Sequence, residues 1–305
     1  MPLRPGSERP SRFGTPDNAF WCCTGTGMES QSKYGDSVYF HSDRDLYVNL
    51  FMATELNWKE KGVKVLQETK YPEEQATKLT ITAEKPVEMA IYMRYPYWAT
   101  GGITLKVNGQ KQKITTQPGS FVKLDRTWKT GDTIELSMPF SLRFEAFRDD
   151  ENKAAVLYGP LVLCAWTTKD NPVSVIRGDK SKVLRELKPV KAEVNTFTAP
   201  ASVFRTSFEK AEGDTTFVPF YQVIGRRYGL YFPVVPAGSD RAQQLERLNR
   251  AIGRLANTPT TDESALEPIR QEFGLLINDP LLTAYRDRLV GAMATYNPIF
   301  KIEGP

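Results

Sequence analysis

The chain of 305 residues is long enough for two or three domains, and its 40% hydrophobic and 25% charged residues are those of a globular protein rather than a disordered one. The net charge of +4, from 40 basic and 36 acidic residues, is spread along the whole length with no basic stripe to track a phosphate backbone, which argues against a nucleic-acid partner. No stretch approaches the roughly 20 apolar residues of a membrane helix, and Met1-Pro2-Leu3-Arg4-Pro5-Gly6 lacks the apolar core of a signal peptide, so neither a membrane partner nor an export signal is expected in this chain.

Residues 1–36 are rich in Gly, Pro, Ser and Asp, with a helical stretch from Met28 to Tyr34 that Gly35 ends. The Pro/Gly/Arg-rich opening runs straight into an aromatic and cysteine-bearing segment, which reads as the tail of a larger unit entered midway. From Ser37 the pattern turns to short β-runs. These are Val38–Phe40, Leu46–Phe51, Val63–Leu66, Leu79–Thr82 and Met89–Met93, followed by Ile103–Val107, Phe121–Leu124 and Ile134–Met138.

Turn signals at Asn108-Gly109, Pro118-Gly119 and Thr130-Gly131-Asp132 punctuate them, and this regular spacing predicts an antiparallel β-sandwich over residues 37–168. Ala154–Ala165, with Tyr158-Gly159-Pro160 in its middle, is expected to close that sandwich. Residues 169–190 read as polar and irregular, and 169–235 as a small β-module containing Phe217–Tyr221 and Tyr228–Phe232. In 236–305 the period changes: Leu245, Leu248, Ile252 and Leu255 mark one helix face, and two further helical stretches follow. The expected fold is therefore mainly β, with a helical tail.

Reactive side chains concentrate in Phe20-Trp21-Cys22-Cys23-Thr24-Gly25-Thr26-Gly27-Met28-Glu29. Vicinal cysteines bridge each other only with strain and a third is left over, so three cysteines make no disulfide framework. Two adjacent thiols on a glycine-rich turn suit one soft metal ion, zinc above all, and a thiolate held deprotonated is also a nucleophile. The residues supply no obvious further ligands. Cys164 lies in the apolar run Leu161–Ala165 and reads as a core thiol, and His41 reads as a structural imidazole. Tyr95, Tyr97 and Trp98 are aromatics that either stack on a sugar or, as the commoner case, fill the sandwich.

The segments Phe13-Gly14-Thr15-Pro16, Phe20–Glu29 and Ser32–His41 resemble the cysteine-pair region of glycoside hydrolase families 127 and 146, which contain β-L-arabinofuranosidases. Arg94–Ala99, Trp128–Asp132, Ala155–Leu163, and then Phe217–Tyr221 with Arg227-Tyr228, continue the resemblance in order, so that it covers about residues 13–235. The resemblance implies an (α/α)6 barrel followed by β-sandwich modules, with residues 1–36 as the end of the barrel. It also implies a zinc ion bound by three cysteines and a glutamate.

By the same resemblance, Cys22 is the nucleophile and Cys22 and Cys23 are zinc ligands. The reaction is retaining, through a thioglycosyl intermediate, with an arabinose-containing oligo- or polysaccharide as substrate. The acid/base glutamate and the remaining ligands belong to barrel segments ahead of the cysteine pair, so this chain alone is expected to be inactive. Glu29-Ser30-Gln31 stands where relatives often read Glu-Asn-His, and Glu29 reads as a structural carboxylate rather than the acid. Export to the periplasm or cell exterior is a further implication of the resemblance. Two other readings stand beside it: a non-catalytic, carbohydrate-associated β-scaffold, and a bare structural zinc or redox module.

Overall fold

The computed structural model describes residues 22–166, 175–177, 179–200, 203–205, 214–226, 228–235, 238–239 and 243. They divide into two compact units, one holding 22–142 with 158–161 and the other holding the remainder. The helical stretches expected over 236–305 lie outside the described residues, apart from 238, 239 and 243.

The first unit begins with helix α1 (Cys22–Lys33) and continues as β1 (Tyr39–His41), β2 (Asp45–Val48), β3 (Thr54–Trp58), β4 (Val63–Glu68) and β5 (Ala76–Ala83). There follow β6 (Val87–Tyr95), β7 (Thr104–Val107), β8 (Gln110–Lys111), β9 (Ser120–Trp128) and β10 (Thr133–Ser137). They form two sheets, ordered β1-β2-β6-β9 and β3-β4-β5-β10-β7-β8. Every pairing within them is antiparallel except β2 with β6, where Leu46 lies beside Ile91 and Val48 beside Met93. The expected mainly β, antiparallel sandwich is thus what the chain builds.

Period-2 alternation decides which side chains enter the core. Val63 and Val65 of β4, Leu79 and Ile81 of β5, and Ile134 and Leu136 of β10 are buried, while their neighbours Lys64, Lys78 and Ser137 face out. Against them the four-stranded sheet sends Leu46, Val48, Ile91, Met93, Val122 and Leu124 into one continuous cluster. Each such aliphatic side chain contributes about 1.5–3 kcal/mol of hydrophobic stabilisation. A polar tie joins the sheets at one side. Tyr39 donates its hydroxyl to Gln67 Oε1 at 2.8 Å, and Gln67, only 1% exposed, donates to Thr77 Oγ1 at 3.0 Å. Burial raises the Tyr39 phenol above its ordinary pKa, partly offset by its hydrogen bond with Thr54.

The turns follow their residues. Asn108 and Gly109 both take positive φ, +50° and +76°, and link β7 to β8 as a two-residue hairpin. In the segment Trp128–Asp132, Thr130 Oγ1 accepts from the Ala83 amide at 2.9 Å and donates to its carbonyl at 2.8 Å. Asp132 accepts from the Lys129 amide at 2.9 Å and from Asn108 Nδ2 at 2.8 Å, while Asn108 Oδ1 accepts from the Thr133 amide. One tight turn therefore clips β5, β10 and the β7–β8 hairpin together.

The second unit is built on a ten-stranded sheet. Its strands are β11 (Leu142–Ala146), β12 (Lys153–Tyr158), β13 (Leu161–Trp166), β14 (Val175–Arg177) and, after helix α2 (Lys180–Glu186), β15 (Lys188–Pro189) and β16 (Phe197–Ala199). The remainder are β17 (Phe204–Arg205), β18 (Thr215–Pro219), β19 (Tyr228–Gly229) and β20 (Tyr231–Val235). Ala154–Ala165, expected to close the sandwich, forms β12 and β13 here and pairs with β20, β18 and β19 instead. Ala154 to Leu157 are all buried, the signature of a central strand covered on both faces, and such a run carries no alternation to say which sheet it joins. The stretch read as irregular contains α2, whose cap Asp179 accepts from the Ser181 and Lys182 amides.

Candidate functional site

Cys22 and Cys23 are the first two residues of α1, a helix that starts six residues earlier than Met28. Gly25 and Gly27 fall inside it, where glycine costs roughly 1 kcal/mol relative to alanine, which is why the sequence signals a turn there. A Cβ added at either glycine would meet nothing within 4 Å. Side-chain bonds from Ser30 to the Thr26 carbonyl and from Ser32 to the Glu29 carbonyl, and the Lys33–Asp36 pair at 3.1 Å, support the helix. Residues 25–37 are exposed throughout, Glu29 among them.

The structure brings none of the other singled-out residues into a metal-binding group: no cluster of three or more His, Cys, Asp or Glu side chains occurs among the described residues. Cys164 is fully buried in β13 against Val218, Val223 and Tyr228, as a core thiol should be. His41 lies with its ring centroid 4.9 Å from that of Trp58. Tyr95 and Trp98 fill the sandwich, Trp98 edge-on to Phe140 at 5.2 Å, while Tyr97 is exposed.

A second surface carries no sequence motif. On the outer face of the four-stranded sheet, Phe40, Tyr47, Tyr92 and Lys123 form one cross-strand row. Tyr47 and Tyr92 stack at 4.4 Å and 12°, Phe121 meets Tyr47 edge-on at 5.6 Å, and Lys123 Nζ lies 5.9 Å from the Tyr92 ring. Lys123 pairs with Asp125 at 2.8 Å, which raises its pKa by hydrogen bond and charge. Packing lifts the Tyr47 phenol, reinforced by Tyr92 and the Asp45 carboxylate. The signal lies in the alternation: Tyr47, Tyr92 and Phe121 are each one residue from a core position.

Residues 45–140 match the family model described as the β-L-arabinofuranosidase GH127 middle domain, and the resemblance read in the sequence is borne out. The non-reducing end β-L-arabinofuranosidase of Bifidobacterium longum subsp. longum is 29% identical over 147 residues, 44% of this chain and 22% of that protein. Among solved structures, a GH127 β-L-arabinofuranosidase from Geobacillus stearothermophilus T6 shares the fold with a TM-score of 0.54 at 19% identity, covering 72% of this chain and 39% of its own. A second GH127 β-arabinofuranosidase shares it at 0.56 and 20%, covering 72% and 40%. The chain thus spans about two fifths of the solved relatives.

Proposed function

We propose that this chain supplies the nucleophile end of a retaining β-L-arabinofuranosidase acting on arabinose-containing glycans outside the cytoplasm. The observation that carries the reading is the vicinal pair Cys22-Cys23 at the start of a helix that leads directly into a GH127 middle domain. Zinc held by both thiolates would keep sulfur deprotonated at neutral pH.

The Cys22 sulfur attacks the anomeric carbon as the glycosidic C–O bond breaks, and a carboxylic acid protonates the departing oxygen. Water, giving its proton to the carboxylate left by the first step, then displaces the sulfur and returns the thiolate, so that two inversions give net retention.

The test is zinc content and hydrolysis of an aryl β-L-arabinofuranoside, measured on the 305-residue chain and on the gene's product read from an upstream start. Zinc and turnover in the longer protein, abolished by Cys22→Ala, are the expected result. A longer protein without metal or activity would leave a carbohydrate-associated scaffold instead.

A further inference from the structure

The cysteine helix joins the sandwich through a clasp. Residues 25–37 are exposed throughout, so burial against the sheets does not hold α1, and Val38, 1% exposed, is where the chain enters the core. Asn49, just past the end of β2, grips that point twice: its backbone amide donates to the Val38 carbonyl and its Nδ2 to the Ser37 carbonyl, each at 2.9 Å. Arg94 of β6 grips Asn49 in turn, with one guanidinium nitrogen donating to the Asn49 carbonyl at 3.3 Å and to Oδ1 at 3.4 Å. We propose that Asn49 and Arg94 are positioning residues, which set the direction in which α1 leaves the sandwich and so place Cys22 and Cys23 for zinc and sugar. This rests on the reading of Cys22 as the nucleophile and adds to it the device that aims the sulfur.

Between the helix and the clasp the chain is tied at each step. The Asp36 amide donates to the Lys33 carbonyl at 3.1 Å, the Val38 amide to the Gly35 carbonyl at 3.5 Å, and Lys33 pairs with Asp36 at 3.1 Å. The 12 residues of α1 make a rod of about 18 Å, at about 1.5 Å per residue, with the cysteines at its far end. A tilt of about 5° at the root carries that far end through about 1.5 Å. A misplacement of about 1 Å at a reacting centre costs about 100-fold in rate. Asparagine fits the clasp because its side chain donates to Ser37 with one atom and accepts from Arg94 with the other, whereas aspartate keeps only the acceptor. The base of the clasp is fixed in the sheet, since Arg94 stands between Met93 and Tyr95, both buried in the core.

The test measures kcat, KM and zinc affinity, the last by competition with a chelator, on the longer enzyme read from an upstream start. Asn49→Ala and Asn49→Asp should each lower kcat about tenfold or more while KM stays within about twofold, and should weaken zinc binding about tenfold. Arg94→Lys, which keeps a donor for Asn49, should recover most of the loss that Arg94→Ala causes. Asp132→Ala, a fastening of the other sheet, is the control for lost stability and should leave kcat and zinc affinity unchanged. On the 305-residue chain, amide exchange across residues 34–41 should quicken in the Asn49 variants and not in Asp132→Ala. Unaltered exchange there, unaltered kcat and zinc affinity in the Asn49 variants, a rise in KM alone, or equal losses in Asp132→Ala would overturn the proposal. Turnover that survives in the Asn49 variants refutes the clasp alone, whereas a wild-type enzyme with neither zinc nor turnover refutes the catalytic reading.

Discussion

Replacing Asp132 with alanine should unfasten the turn that holds three strands together. The carboxylate is 3% exposed and accepts from the Lys129 amide at 2.9 Å and from Asn108 Nδ2 at 2.8 Å. A buried donor left without a partner costs about 1–3 kcal/mol. Lys129 and Asn108 are themselves exposed, so water takes up part of what the carboxylate leaves, and the predicted loss is about 1–2 kcal/mol. In urea this lowers the unfolding midpoint by about 0.5–1 M at an ordinary denaturant slope. Tryptophan fluorescence reports it through Trp58, Trp98 and Trp128 of the same unit.

The pH dependence adds a second reading of the same bonds. Burial pushes the Asp132 pKa up, but the Lys129 amide, the Asn108 side chain and the charges of Arg126 and Lys129 outweigh it and hold the acid below its ordinary value. A carboxyl depressed on folding stabilises fully above its unfolded pKa of about 3.9 and loses that contribution as pH falls through the folded value. The gap between the wild-type protein and Asp132→Asn should therefore be widest above pH 5 and narrow toward pH 2. An alanine variant within about 0.5 kcal/mol of wild type, below the usual cost of a stranded donor, would refute the assignment of the turn as a structural clip.

Two further outcomes follow from burial and backbone geometry. Gly159 has a φ of +54°, and a Cβ there would lie 2.4 Å from Phe140 Cγ, so Gly159→Ala should cost more than about 3 kcal/mol, measured as a fall in unfolding midpoint or as loss of soluble protein. Cys164→Ala should cost about 1–2 kcal/mol as a small core truncation and leave the zinc stoichiometry of the longer enzyme unchanged. A drop in bound metal would move Cys164 out of the core-thiol role.

Strands with one wet face were legible residue by residue, because Val63-Lys64-Val65-Leu66 and Leu79-Thr80-Ile81-Thr82 alternate as a half-buried sheet must. Asn108-Gly109 was legible for a different reason: few residues other than these accept two successive positive φ angles. Reading failed where the physical signal is ambiguous. Ala154–Leu157 is buried on both faces and so names no sheet, and α1 carries two glycines that speak against the helix containing them. The cap at Asp179 was readable, yet it was lost in a polar stretch whose composition resembles a loop. The cysteine pair is legible because reactive groups seldom cluster by accident. The outer-face aromatics are not, since they lie up to 81 positions apart, from Phe40 to Phe121, and only the register of β1, β2, β6 and β9 makes them neighbours.

Within the two sheets of the first unit, the one parallel pairing, β2 beside β6, governs how that unit can be cut. Parallel neighbours cannot be joined by a tight hairpin, and between Val48 and Val87 the chain crosses to lay down β3, β4 and β5 in the facing sheet before it returns. The two layers are therefore one thread stitched back and forth, and neither exists as a separable piece. Folding must await contacts between distant stretches of chain, which makes it slow relative to a simple meander. Trimming for expression has to carry residues 39–137 intact, whereas the hairpin tip at Asn108-Gly109 joins adjacent strands of a single sheet and is the place where an insertion would leave the weave undisturbed.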